Sequence, residues 1–294
     1  MAIGEVLIVH DSDLSGMPYR IEAAVNRYTD WHASRVQHKT DKIGFPSGEP
    51  WPALKRLIAA SDVVHWYGMG LWGRNHRFAA GKSQVITLHS KEDVIRKADV
   101  PSETIVTATS YDLIDWFPRA RYIYDFALFS DMPDPTPLWD GTGRLRIYAP
   151  PSPYAVRNDL FSEVTKRLKG VEIVESGPWP TANPEVLHQI NDAHVVWDVF
   201  DGGLTCTTAE AASLGRVTVY LGKLHNRTPG HDLVAGSESI PGVVGIIHTM
   251  SVDPEAYDFW VTSACALSRL HLSPEGAALA YTRVYEEALC CSSL

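Results

Sequence analysis

The sequence predicts an α/β fold built as two doubly wound halves, and three observations carry that reading. Short apolar runs alternate with segments of helical spacing along most of the chain, a Pro/Gly-rich stretch interrupts them near residue 140, and the alternation restarts beyond it.

The first half opens with an apolar run, Val6 to Val9, expected as a buried strand. A loop, Asp11 to Pro18, leads to helical spacing over Tyr19 to Tyr28, where Ile21, Ala24, Val25 and Tyr28 share one face. Ala53 to Ala60 reads as a helix. Asp62 to Tyr67, Val85 to Leu88, Thr104 to Ala108 and Arg121 to Tyr124 read as strands. Pro133 to Gly143, PDPTPLWDGTG, lacks periodicity and is the expected linker.

In the second half, strands are expected at Leu145 to Tyr148, Val171 to Val174, Val195 to Asp198, Val217 to Leu221 and Val243 to Ile247. Helices are expected at Asp159 to Leu168, Pro184 to Ile190, Thr207 to Leu214, Pro254 to Leu270 and Ser273 to Cys290. Ser273-Pro274 supplies an N-cap and a first-turn proline to the last of these. The expected domains are 1–140, 141–272 and a terminal helix, 273–294, that packs back on the first. In doubly wound sheets ligands sit at the carboxyl ends of the strands, so two facing halves predict a central cleft.

Composition narrows the function. The chain has 294 residues, 45% hydrophobic and 21% charged, with a net charge of -9, which counts against nucleic-acid binding. One modest basic cluster, Arg74, His76, Arg77 and Lys82, reads as a solvated loop. No stretch is long and apolar enough to span a bilayer, and MAIGEVLIVH lacks the basic start of a signal peptide. Cys206, Cys265, Cys290 and Cys291 have no C-x-x-C spacing and read as free thiols of a cytoplasmic protein.

Asn191 to Leu221 carries the most chemical information. A buried strand ends in Asp198, and a loop containing Gly202-Gly203 permits close backbone approach to a ligand. A helix then starts near Thr207, and its first N–H groups form an anion site. Glu210 is expected in that helix's first turn, facing the same crevice, where a carboxylate accepts both hydroxyls of a ribose. The plainer alternative is an ordinary βαβ unit in which Glu210 is a favourable N-terminal charge.

The segment resembles glycosyltransferases of the GT-B fold, family 4 type, in which a strand ending in an acid and a glycine loop lead into E-A-x-A-x-G and a strand. Here these are Glu210-Ala211-Ala212-Ser213-Leu214-Gly215 and Val217-Thr218-Val219. The resemblance implies that Glu210 holds the ribose of a nucleotide-sugar, while the loop Gly202, Gly203, Leu204, Thr205 to Thr207 holds its sugar and phosphates. The family's earlier acid stands eight positions before the second. Gly202 occupies that position, and Asp201, nine before, is the replacement candidate.

Further positions extend the resemblance. Ser15-Gly16-Met17-Pro18-Tyr19-Arg20 is similar to the family's glycine loop beside the donor phosphate. His89, in VITLHS, matches a histidine near the reacting sugar, and His65 matches a second position less sharply. Ser152-Pro153 followed by Arg157 is similar to the diphosphate site, with Ser152 a donor contact and Arg157 the phosphate partner. Lys166 and Arg167 are the candidates for its second base. Trp179 lies where relatives bind the nucleobase, with stacking and packing equally open.

The expected catalytic set is therefore His89, Arg157 and Glu210. The implied reaction is retaining transfer of a hexose or pentose from a nucleoside diphosphate sugar, UDP-sugar favoured, held by the 141–272 donor domain, to an acceptor hydroxyl from the 1–140 acceptor-side domain. No cofactor is implied, the donor being a co-substrate. No metal is implied either, Asp11-Ser12-Asp13 being the only Asp-x-Asp of note and lying in the first βα loop. The acceptor stays open between a glycan, a small molecule and modified DNA, the last by analogy with compact bacteriophage enzymes acting on hydroxymethylated bases. A non-catalytic nucleotide- or glycan-binding module and a sugar-nucleotide epimerase are the alternatives.

Overall fold

The computed structural model of the chain describes residues 3–11, 16–39, 44–89, 100–151, 155–174, 176–178 and 180–292, with the side chains at 155–156, 199–202 and 292 left out. The chain divides into two compact units, residues 1–125 with 274–294, and residues 126–273.

Unit 1 holds a fully parallel seven-stranded sheet of order β3-β2-β1-β4-β5-β6-β7. Its strands are β1 (Gly4–His10), β2 (Trp31–Gln37), β3 (Glu49–Pro50), β4 (Val63–Tyr67), β5 (Ser83–Leu88), β6 (Ile105–Ala108) and β7 (Arg121–Tyr122). Val6, Leu7, Ile8 and Val9 are all buried because a parallel sheet is covered on both faces, so an uninterrupted apolar run is the right pattern for a strand here. Helix α1 (Met17–Tyr28) buries Met17, Ile21, Ala24 and Val25. Three short helices, α2 (Leu54–Ala60), α3 (Met69–Asn75) and α4 (Tyr111–Trp116), complete the connections described. Leu54, Ile58, Leu71 and Trp72 join the core formed by Leu7, Val9, Val64, Trp66 and Ile86.

Unit 2 holds a parallel five-stranded sheet of order β12-β11-β10-β8-β9. Its strands are β8 (Leu145–Tyr148), β9 (Val171–Val174), β10 (Val195–Gly202), β11 (Val217–Leu224) and β12 (Ala235–Ser237). Around it lie α5 (Ala155–Thr165), α6 (Asn183–Asp192), α7 (Cys206–Ser213), α8 (Ile240–Val252) and α9 (Pro254–His271). The last helix, α10 (Pro274–Ser292), belongs to unit 1 and packs against α1 and β5.

The structure corrects two expectations and adds one strand. The boundary expected at residue 140 falls between Asp125 and Phe126, because the Pro-rich segment is built into unit 2. Thr136 donates its hydroxyl to the Asn191 carbonyl at 2.6 Å, Arg216 donates to the Thr136 carbonyl at 2.7 Å, and Trp139 is buried in the unit 2 core. The strand expected at Val243 to Ile247 is part of helix α8. Ser239 caps it by accepting from the Gly242 N–H at 3.2 Å, and Val243, Ile247 and Met250 recur at helical spacing on its buried face. Strand β2, which alternates polar His32, Ser34 and Arg35 with apolar positions, was not expected at all.

Candidate functional site

In each sheet the strand order reverses once, between β1 and β4 in unit 1 and between β8 and β10 in unit 2. Such switch points open a crevice at the carboxyl ends of the strands.

In unit 2, β8 and β10 lie side by side, Ile147 opposite Val195 and Tyr148 opposite Val196. Asp198, on β10, is fully buried and gathers three side chains. Arg157, from the first turn of α5, gives it an N–H from Nη2. Thr205 donates its hydroxyl to Oδ2, and Thr208 donates to the same oxygen at 3.3 Å. The Thr205 hydroxyl also accepts from the Thr208 N–H at 3.3 Å, so the N-cap of α7 is tied to the strand through one carboxylate. Burial depresses the Arg157 guanidinium to about 10, so it is a cation at neutral pH with its counter-ion in place. Its one bond to Asp198 leaves four of the five N–H donors of the fork outside that pair.

Glu210 does not lie in the first turn of α7. The helix starts at Cys206, one residue earlier than expected, which puts Glu210 in the second turn, 4% exposed. Close by is Tyr148, the last residue of β8, whose phenol is pushed above its ordinary range by burial first and by Glu210 and Glu185 after it. The Tyr148 hydroxyl is buried with no hydrogen-bond partner. Gly203 and Leu204 are buried in the turn ahead of the helix. Asp198, an expected strand end, lies mid-strand, since β10 runs on to Gly202.

The structure therefore brings Arg157 and Thr205 together on Asp198, and sets Glu210 near Tyr148, all in unit 2. Sequence reasoning had Asp198 only as a strand-end acid and missed Tyr148 and Thr208. Their signal was faint, since the residues that meet at Asp198 lie 41, 7 and 10 positions from it. Arg167 pairs with Glu163 at 2.7 Å on an exposed helix face. Ser152 and Trp179, and the side chains of Asp201 and Gly202, lie outside the described residues.

Gly16, Met17 and His89 belong to unit 1. Gly16 caps α1 with φ 70°, and a Cβ there would meet the Phe45 ring at 2.2 Å, so the close approach this glycine permits is to Phe45. Met17 is fully buried in the core. His89 is exposed just past β5, its ring 5.4 Å from that of Tyr67. His65 does not face a crevice. It is fully buried, with Nδ1 3.0 Å from the Tyr285 hydroxyl and Nε2 2.6 Å from the Thr87 hydroxyl.

Two members of the basic cluster are engaged locally. Lys82 donates to the Ala59 and Ser61 carbonyls, and His76 stacks on Trp72 at 4.5 Å. Among the described residues, no three His, Cys, Asp or Glu side chains group as a metal site, and no helix is long and apolar enough to cross a membrane.

No family model and no curated protein matches the chain. Solved structures do. A sucrose-phosphate synthase from Thermosynechococcus elongatus is similar at TM-score 0.60 and 12% identity, over 95% of this chain and 98% of that one. An alpha-glucosyltransferase in complex with UDP is similar at TM-score 0.59 and 10% identity, over 96% and 100%. A lipopolysaccharide outer core galactosyltransferase is similar at TM-score 0.57 and 12% identity, over 99% and 100%. The structural neighbours are GT-B glycosyltransferases, and the chain shares their α/β fold with parallel, Rossmann-like sheets.

Proposed function

We propose that the chain is a glycosyltransferase that takes a sugar from a nucleoside diphosphate donor held at the carboxyl end of the unit 2 sheet. The observation that carries this reading is the group of Arg157, Thr205 and Thr208 assembled on the buried Asp198 at the start of α7. A helix N-terminus and a pre-aimed guanidinium favour an anion at the same place. Both are fixed before a ligand arrives, so little reorganisation accompanies the build-up of negative charge on a departing diphosphate.

In this proposal Arg157 and the backbone from Gly202 to Thr205 bind the diphosphate, with Ser152 beside them. Glu210 accepts the ribose hydroxyls, and Asp201 stands in for the family's first acid. Trp179 lies against the base. The likeness to a glucosyltransferase solved with UDP supports UDP as the nucleotide to try first. The family 4 resemblance of Glu210 to Gly215 supports transfer with retention.

The test is calorimetric titration of UDP, together with turnover of a panel of UDP-, GDP- and ADP-sugars. Hydrogen bonds to a charged group contribute about 1.5–3 kcal/mol, so Glu210→Gln is expected to weaken UDP binding roughly tenfold to a hundredfold. Unchanged affinity in that variant removes Glu210 from the site.

A further inference from the structure

The amino edge of the unit 2 sheet, the end opposite the proposed donor site, gathers basic side chains that no carboxylate pairs. The parallel ladder extends one residue ahead of β10 and β11. The His194 N–H donates to the Arg146 carbonyl at 2.9 Å, and the Val217 N–H to the His194 carbonyl at 3.3 Å. Val195 is paired with Ile147 on one side and Val217 on the other, so Arg146, His194 and Arg216 stand one step earlier in a single row. Residues in register on neighbouring strands face the same side of a sheet.

One bond fixes the tautomer of His194. The Arg146 backbone N–H donates to Nδ1 at 3.0 Å, so Nδ1 is the acceptor of the ring. Burial first, then Arg146 and Arg216, hold the imidazole near 4, so at physiological pH it is neutral with its proton on Nε2. Arg146 Nη2 lies 3.5 Å from that Nε2. A guanidinium has no acceptor, so this contact sets two donors against each other.

Arg216 adds further unmet donors. It is fully buried, and its Nη2 is spent on the Thr136 carbonyl at 2.7 Å, the Thr136 hydroxyl at 2.8 Å and Asn191 Oδ1 at 3.1 Å. Nε and Nη1 have no hydrogen-bond partner. The Tyr257 phenol is near enough to act on the guanidinium, but its hydroxyl donates to the His194 carbonyl at 3.4 Å. Among the described residues neither Arg146 nor Arg216 is ion-paired. Asp192 acts on Arg216 only through space, and the exposed Asp140 accepts from the Thr142 N–H at 2.9 Å and hydroxyl at 2.6 Å. Buried polar groups are overwhelmingly paired, and an enclosed charge is expensive to leave without a counter-charge.

We propose that Arg146, His194 and Arg216 bind one halide ion at the amino edge of the unit 2 sheet. A halide accepts from the guanidinium and imidazole N–H groups together and supplies the missing negative charge. Arg216 and Tyr257 are both 0% exposed, which leaves no outlet to water for the outer oxygens of a phosphate. The half-buried Arg146 marks the side of entry. Because Arg216 also holds Thr136, the bound ion tightens the attachment of Pro133 to Gly143 to unit 2.

The full chain is melted in potassium chloride and in potassium gluconate at equal ionic strength, which leaves screening unchanged. At a concentration tenfold above Kd, chloride is expected to raise the melting temperature of a unit of this size by about 3–5 °C. Chlorine NMR gives a second readout, a line broadened by the parent chain and restored by bromide. Arg146→Gln is expected to weaken halide binding roughly tenfold, the loss of one charged hydrogen bond. That variant leaves the Arg216 bonds to Thr136 and the Arg157 guanidinium in place, so a halide at the donor site would keep its signal. Equal melting in the two salts without line broadening overturns the proposal. So does broadening that Arg146→Gln leaves unchanged, and so does stronger stabilisation by inorganic phosphate than by chloride.

Discussion

Asp198 is the residue whose removal is expected to do most damage to unit 2. It has no exposed surface, and it is at once the counter-ion of Arg157 and the acceptor for Thr205 and Thr208. Asp198→Ala strands a guanidinium whose side chain is 23% exposed and releases two hydroxyls. Breaking one side of a buried pair costs about 3–5 kcal/mol. The lower end applies to Asp198→Ala, because the Arg157 side chain can turn toward water. Arg157→Met lies toward the upper end, because it takes the counter-ion from a fully enclosed carboxylate. The double variant Asp198→Leu/Arg157→Met removes both charges, and its cost is expected to fall about 2–3 kcal/mol short of the sum of the single substitutions. A chain of two units need not unfold in one step, so amide hydrogen exchange on peptides covering Val195–Gly202 and Cys206–Ser213 is the suitable measurement. Additivity within about 0.5 kcal/mol shows that the pair is not coupled, and refutes the account of α7 as a helix tied down through Asp198.

Two further outcomes follow from unit 1 and from the buried histidines. His10 and His65 are depressed to about 3 and His194 to about 4, in each case first by burial, so all three favour the fold fully above the unfolded value near 6.5 and lose that contribution as pH falls toward the folded values. Between pH 6.5 and pH 5 each costs about 1.6 kcal/mol, which predicts a melting temperature that falls over that range; a flat profile contradicts the burial of neutral rings. Gly16→Ala is expected to destabilise unit 1 by about 2–4 kcal/mol, part from positive φ and part from the Phe45 ring. Adding Phe45→Ala removes the collision but not the backbone strain, so denaturant melts showing no loss in Gly16→Ala would refute both parts.

Much of the fold was legible because a doubly covered parallel sheet writes its strands as apolar runs. β1, β4, β5, β8, β10 and β11 each contain one, and each was expected within a few residues of its observed ends. The failures have physical causes. Strand β2 hides because Arg35 and Gln37 are polar yet buried, Arg35 through its bonds to Glu22 and the Pro46 carbonyl. Helix α8 was mistaken for a strand because its β-branched run outweighs Ser239 and Pro241, the two residues that start a helix there. Pro133 to Gly143 looks like a linker by composition, but Arg216, fully buried and 80 positions from Thr136, anchors it in unit 2. At the site, Arg157 and Glu210 were visible as residue types at family positions. Their setting was not, because it depends on Asp198 and Tyr148, which the chain brings near only after β8 and β10 pair.

The same limit separates His10 from His65. Both follow apolar residues in short strands, and nothing in either neighbourhood of the sequence distinguishes them. The difference is that α10, from the far end of the chain, delivers Tyr285 to His65 across 220 positions, whereas among the described residues no donor or acceptor reaches the His10 ring nitrogens. In unit 2, Asp198 organises its surroundings through hydrogen bonds. By accepting from Thr205 and Thr208 it holds still, and by pairing with Arg157 it fixes a guanidinium beside the N-terminus of α7 while using one of its five donors. An anion bound there adds hydrogen bonds to a pre-oriented cation instead of ordering a free one, and that saving in side-chain entropy is what a buried carboxylate contributes to anion binding.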